Sequence, residues 1–191
     1  MYLIFDTETT GLPLNYNAPS TDISNWPRVV QLAWAQFSEN AEIIDSHNYI
    51  IKPENFIIPL DSTRIHGISH EHAMREGVPL RTILPRFSSA VSGSQLAIAH
   101  NFSFDQRILE AEAIRHKTII PFNEKKSLCT MKASTNFCKI PNTRGYKWPK
   151  LSELHEVLFN EPFNAHNAEK DVEACARCFF ELKKKGALIL P

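Results

Sequence analysis

Asp6 and Glu8 stand in Phe5-Asp6-Thr7-Glu8-Thr9-Thr10-Gly11, directly after the apolar run Tyr2-Leu3-Ile4-Phe5. Such a run reads as a buried strand, and the side-chain period of 2 sends both acids to one face. Neighbouring carboxylates repel and raise one another's pKa, so a strand that ends this way needs cations to keep both ionised. Hard divalent ions with oxygen ligands suit them best. Two more acids and a histidine complete the set: Asp105 in His100-Asn101-Phe102-Ser103-Phe104-Asp105, and Asp171, which follows His166 in Ala165-His166-Asn167-Ala168-Glu169-Lys170-Asp171. A loop residue and one in the first turn of the following helix can face the same point. Asp171 can therefore bind a metal while the imidazole of His166 reaches an attacking water. The chemistry of such a set is phosphodiester cleavage assisted by a pair of divalent cations. His47, His70, His72, His116 and His155 have no such company and read as structural histidines.

The elements that must position these residues alternate along the chain. After the first strand comes a Pro-, Asn- and Ser-rich connection, Pro13 to Pro27, long enough to flank a cleft with Tyr16 and Trp26, or else to be a surface insertion. Arg28–Phe37 and Glu42–Lys52 read as strands joined by the turn Ser38-Glu39-Asn40-Ala41, which with the first strand make an antiparallel three-stranded start to a sheet. Residues 60–92 are mainly helical, with Pro79 near a helix start and Ile83, Leu84, Phe87 and Val91 at helical spacing. Gln95–Ala99 is a short apolar strand. Ser103–His116 reads as a helix with Ser103 as its N-cap, which puts Asp105 in the first turn, at the carboxyl end of a strand. Lys126–Thr130 is a candidate fifth strand. The chain ends in helices over Pro149–Phe159 and Ala168–Lys184, the second with acids early and lysines late, as the helix dipole favours.

Composition narrows the class. A chain of 191 residues with 43% hydrophobic content can bury one sizeable core, so residues 1–191 read as a single domain. No apolar stretch approaches the ~20 residues needed to cross a bilayer, and a strand beginning at Tyr2 leaves no room for a secretory signal, so a soluble cytoplasmic protein without a membrane partner is expected. Cys129, Cys138, Cys175 and Cys178 are too scattered for a disulfide scaffold; the Cys175/Cys178 pair, within a helical pattern, reads as buried thiols rather than half a zinc site. The net charge of zero excludes a uniformly basic coat. Residues 125–150 nevertheless carry Lys125, Lys126, Lys132, Lys139, Arg144, Lys147 and Lys150 with no Asp or Glu, interleaved with Phe137, Tyr146 and Trp148. That pattern fits either a solvated surface or phosphate contacts beside stacking faces, and the metal chemistry turns the balance toward single-stranded nucleic acid.

The motifs Phe5-Asp6-Thr7-Glu8-Thr9-Thr10-Gly11-Leu12, His100 through Asp105 and His166 through Asp171, in that order within one domain, resemble the DEDDh family of 3′-5′ exonucleases. This group includes the proofreading subunit of bacterial replicative DNA polymerase, ribonuclease T and oligoribonuclease. The His-x-x-x-x-Asp form of the third motif places the chain with the histidine branch. The resemblance implies a ribonuclease H-like α/β fold: a mixed five-stranded sheet, antiparallel in its first three strands, with helices on both faces. It also implies two Mg²⁺ or Mn²⁺ ions held by Asp6, Glu8, Asp105 and Asp171, with His166 as general base. Thr9 would meet the terminal 3′-hydroxyl, Leu12 would wedge against the last bases, and Phe104 would line the same pocket. The implied activity is hydrolysis from the 3′ end of single-stranded or frayed DNA, releasing nucleoside 5′-monophosphates in proofreading or repair, either alone or beside a polymerase subunit. The alternatives are an RNA-trimming enzyme of the same family and a catalytically silent nucleic-acid-binding or polymerase-associated module.

Overall fold

The computed structural model describes residues 1–163 and 165–191. Strand β1 (Tyr2–Thr9) pairs antiparallel with β2 (Val29–Phe37), which pairs antiparallel with β3 (Ile43–Ile50). On its other side β1 runs parallel to β4 (Leu96–Ala99), and β4 runs parallel to β5 (Lys126–Cys129), so the sheet order is β3-β2-β1-β4-β5. This is the mixed five-stranded sheet with an antiparallel beginning that the sequence implies.

Alternation along β1 divides the molecule into two layers. Leu3 and Phe5 pack against Phe87 and Ile83 of α3 (Leu80–Gly93) and against Ile108 and Leu109 of α4 (Phe102–Arg115). Tyr2 and Ile4 point the other way, into Leu154 of α7 (Leu151–Phe159) and Val172, Cys175 and Phe179 of α8 (Ala168–Lys184). Helices thus cover both faces. Because β1, β4 and β5 are parallel, their carboxyl ends emerge at one edge, where ligands of open α/β sheets bind.

Several boundaries differ from expectation for identifiable reasons. The helical stretch 60–92 is three helices, α1 (Leu60–His66), α2 (His70–Glu76) and α3, the first closed by Gly67 in the left-handed region at φ 79°. Helix α4 starts at Phe102, not after a Ser103 cap: the chain leaving β4 turns through Asn101, which takes a left-handed φ of 71° and becomes the N-cap. Asp105 keeps its place in the first turn. Strand β5 stops at Cys129, and Thr130 opens α5 (Thr130–Ala133). Helix α7 begins at Leu151 because Lys150, after Pro149, is extended, and the Glu153 carboxylate accepts its N–H at 2.8 Å.

The long connection after β1 is tied down rather than free. Trp26, expected at a cleft, is in the core, its Nε1 donating to the Pro19 carbonyl at 3.0 Å. Asn15 and Asn25 bond each other across the loop, and the Arg115 guanidinium donates to the carbonyls of Ile23 and Trp26. Tyr16 stays exposed and lies beside Phe104, ring centroids 6.4 Å apart. The basic run 125–150 is likewise not one patch. Lys125 and Lys126 lie at the amino end of β5, donating to the carbonyls of Ser92 and Pro191, whereas the later cations lie beyond its carboxyl end. Cys175 and Cys178 are buried in α8, and burial pushes both thiols up, Cys178 to about 12. Among the described residues no helix is long and apolar enough to cross a membrane.

Candidate active site

At the carboxyl edge of β1 the two-residue period that builds the core also builds the site. Asp6 and Glu8 continue the Tyr2/Ile4 row and so point toward α8, which brings Asp171 to meet them. One oxygen from each of these three carboxylates lies within 4.8 Å of the others. Thr7 points to the opposite layer, toward α4. There its N–H and hydroxyl both donate to Asp105 Oδ1, at 3.1 and 2.6 Å. Asp105 therefore lines the same cleft but stands outside the close trio, held through the intervening threonine.

The third segment is set by α8's amino end. Asn167 caps the helix by accepting the Lys170 N–H, and Gln31 of β2 accepts the Ala168 N–H at 3.1 Å. The backbone N–H groups of His166 and Asn167 both donate to Asp171 Oδ2, at 2.9 and 3.2 Å. To do so His166 adopts φ 81°, a conformation that costs about 1–3 kcal/mol for a residue with a side chain. One oxygen of Asp171 is thereby anchored. The other, Oδ1, is buried with no hydrogen-bond partner among the described residues.

The electrostatics follow from crowding. Loss of hydration, then repulsion from Asp105, Asp171 and Glu8, holds Asp6 well above the ordinary carboxylate range. Burial and the charges of Asp171 and Asp105 push Glu8 up to about 8. Burial raises Asp105 to about 7 against the opposing bonds from Thr7, and Asp171 is raised by burial against the two backbone bonds it accepts. Protein cations do not compensate this group: Asp6, Glu8, Asp105 and Asp171 take part in no salt bridge among the described residues. The donors are all oxygen and one is buried and unpartnered, so the group fits a hard divalent cation.

Every residue to which the family resemblance gives a site role lines one cleft of about 360 Å³: Asp6, Glu8, Thr9, Leu12, Phe104, Asp105, His166 and Asp171. Thr9 Oγ1 donates to the Gly11 carbonyl at 2.7 Å, and Gly11, at φ 146°, turns the chain so that Leu12 stands exposed at the rim. Two histidines without a role assigned from the sequence, His66 and the motif residue His100, line the cleft as well. His66, the last residue of α1, accepts the Ile68 N–H on Nδ1 at 3.1 Å; Nε2 is then the protonated nitrogen, buried beside the Thr9 carbonyl. Burial pushes its pKa down. His100 Nε2 donates to the Pro149 carbonyl at 3.0 Å while Nδ1 accepts from the Thr130 hydroxyl at 3.0 Å, and burial lowers its pKa to about 4, so it is a neutral strut. His66 gave one weak signal: it directly precedes a helix-ending glycine, which says nothing of which wall it would face.

Comparison with known proteins gives the family and the fold. The sequence model of the family described as Exonuclease matches residues 3–179. The 3′-5′ exonuclease DinG of Bacillus subtilis is 27% identical over 184 residues, 96% of this chain and 18% of that protein. A PolC-type DNA polymerase III of Listeria monocytogenes is 34% identical over 185 residues, 96% of this chain and 11% of that protein. The crystal structure of E. coli Exonuclease I in complex with a dA16 oligonucleotide shares the fold, with a TM-score of 0.75 at 18% identity, covering 96% of this chain and 40% of that one. The chain spans less than a fifth of the length of these two curated relatives.

Proposed function

This chain belongs to the exonuclease family, and on that premise we propose that it hydrolyses phosphodiester bonds from the 3′ end of single-stranded or frayed DNA, releasing nucleoside 5′-monophosphates. The observation that carries this reading is the meeting of Asp6, Glu8 and Asp171 within 4.8 Å, with Asp171 Oδ1 buried and without a partner among the described residues. Asp6, Glu8 and Asp171, joined by Asp105 from the α4 side, are the ligands we assign to two Mg²⁺ or Mn²⁺ ions. Bound there, such ions neutralise the carboxylates and stabilise the negative charge that grows on the phosphoryl oxygens.

The chain's own residues supply the rest. The exposed imidazole of His166, at the mouth of the cleft, takes the proton from the attacking water. The water oxygen bonds to phosphorus, the bond to the 3′-oxygen of the preceding nucleotide breaks, and that oxygen leaves with a proton from solvent. Thr9 receives the terminal 3′-hydroxyl. Leu12 and Phe104, extended outward by Tyr16, give the last bases an apolar wall. His66 Nε2–H, buried beside the Thr9 carbonyl, braces the turn that carries Thr9 and Leu12.

The similarity to a PolC-type DNA polymerase III supports DNA rather than RNA as the substrate. The same similarity supports action beside a polymerase as well as alone. A 5′-labelled single strand incubated with Mg²⁺ should give a ladder that shortens from the 3′ end and vanishes with EDTA. Early internal cuts would overturn the exonuclease reading, and faster trimming of a matched RNA would replace DNA as the substrate.

A further inference from the structure

Beyond the cleft, the most distinctive exposed surface is the end of the basic run. After α6 (Thr135–Cys138) the chain forms a small hairpin of β6 (Pro141–Asn142) and β7 (Gly145–Tyr146), whose turn is closed by the Arg144 N–H donating to Asn142 Oδ1 at 2.8 Å. Tyr146 and Trp148 are 47% and 59% exposed, an unusual state for large rings. The ammonium of Lys132 lies 5.5 Å from the centre of the Trp148 ring. Lys147 is paired with Glu153, but Lys132, Lys139, Arg144 and Lys150 form no ion pair with a carboxylate among the described residues. The next residue after Trp148 is buried Pro149, whose carbonyl is held by His100, a wall of the cleft. The exposed ring is therefore one residue removed from a direct contact with the site.

We propose that the hairpin and Trp148, with Lys132, Lys139, Arg144 and Lys150, grip the single strand whose 3′ end enters the cleft. The proposal rests on the exonuclease reading and adds the surface that holds the strand behind the scissile bond. Cations without carboxylate partners meet phosphates, and an exposed indole flanked by an ammonium offers a face to an unstacked base of any sequence. A duplex keeps its bases stacked and would leave both rings unused.

The test uses the intact chain and a fluorescein-labelled dT15 strand in EDTA, so that binding is read without cleavage. Trp26 and Trp34 are buried, so quenching of tryptophan emission on adding the strand reports Trp148. Trp148→Ala should abolish that quenching and raise Kd roughly tenfold, as loss of one stacked base does. The surface pair Lys139→Gln and Arg144→Gln should lower the slope of log K against log salt by roughly 0.7 for each lost phosphate contact. With Mg²⁺ present, all variants should cut a dinucleotide at the parent rate while KM for dT15 rises. Unchanged Kd, quenching and salt slope in both variants would overturn the grip, even in a protein that degrades dT15 normally, and would leave this face to a protein partner. A parent protein that binds dT15 through Trp148 but cuts nothing with Mg²⁺ or Mn²⁺ would uphold the grip and defeat the exonuclease reading instead.

Discussion

Glu112 and Asp171 are both buried carboxylates, and the fold treats them in opposite ways. Glu112, fully buried, accepts from Arg28 Nε at 2.7 Å, Arg28 Nη2 at 3.2 Å and the Val29 N–H at 3.2 Å, with Arg115 Nη1 at 3.1 Å. Asp171 has backbone donors on one oxygen and, among the described residues, no partner on the other, and it meets the carboxylates of Asp6 and Glu8. Charge removed from water must be paired. At Glu112 the chain brings its own cations, and the cluster's task is to fasten the 13–27 connection and the start of β2 to α4. At Asp171 it brings more negative charge, and that deficit marks the place for an external cation.

Substitutions separate the two clusters. The largest effect expected is on turnover in the uncompensated one. Asp6→Ala or Asp171→Ala should lose more activity than His166→Ala, which should slow single-turnover cleavage by roughly 10²–10⁴-fold while strand binding persists. An almost unchanged rate for His166→Ala would remove it as the general base. Next comes stability at the compensated cluster. Glu112→Gln leaves two guanidinium groups facing a buried neutral amide and should cost about 3 kcal/mol, the low end for a broken buried pair because both arginines retain some access to solvent. In the metal-free protein Asp6→Asn should do the reverse, leaving Tm unchanged or higher, since it removes repulsion. Thermal melts in which both substitutions destabilise to the same degree would show that the two clusters do not differ in charge compensation.

Acidity gives a finer test. Glu8 and Asp105 are raised from 4.5 to about 8 and from 3.8 to about 7. The folded metal-free protein thus binds more protons than the unfolded chain across that window. Their contribution is fully present below the ordinary carboxylate range and is lost as pH rises through about 7 and 8. Melting in EDTA should therefore show Tm falling from about pH 5 to pH 9, and Mn²⁺ should restore it most at the alkaline end. A flat or rising profile in EDTA would contradict the assigned crowding. The smallest effect belongs to Gln31→Ala. It frees the first N–H of α8 and should shift Asp171 enough to raise the metal concentration needed for half-maximal rate, with little change in Tm; an unchanged metal requirement would show that Gln31 does not position Asp171.

Much of the site was legible in the chain because it depends on local rules. Alternation along Tyr2–Glu8 decides that Asp6 and Glu8 share a face, and the step from His166 to an early turn of α8 decides that Asp171 can reach back to its own loop. Other features were not legible. Trp26 has the composition of a cleft residue but is drawn inward by the Arg115 contacts, made by a helix far along the sequence. His66 is unremarkable until α1 lays it against the Thr9–Leu12 turn in the same cleft. Lys125 and Lys126 belong by sequence to the hairpin's cations, yet the direction of β5 sends them to the other edge of the sheet.

By itself, then, the sequence determined the strand and helix periods, the acids those periods align and the family motifs they spell, because each depends on neighbours a few residues apart. Tertiary structure alone decided that Asp105 enters through Thr7 while Asp171 enters beside Asp6, and that Glu112 receives guanidinium partners while Asp171 receives none among the described residues. The physical reason is that compensation of a buried charge depends on which distant segments the sheet order brings within a few ångströms, and no local period carries that information.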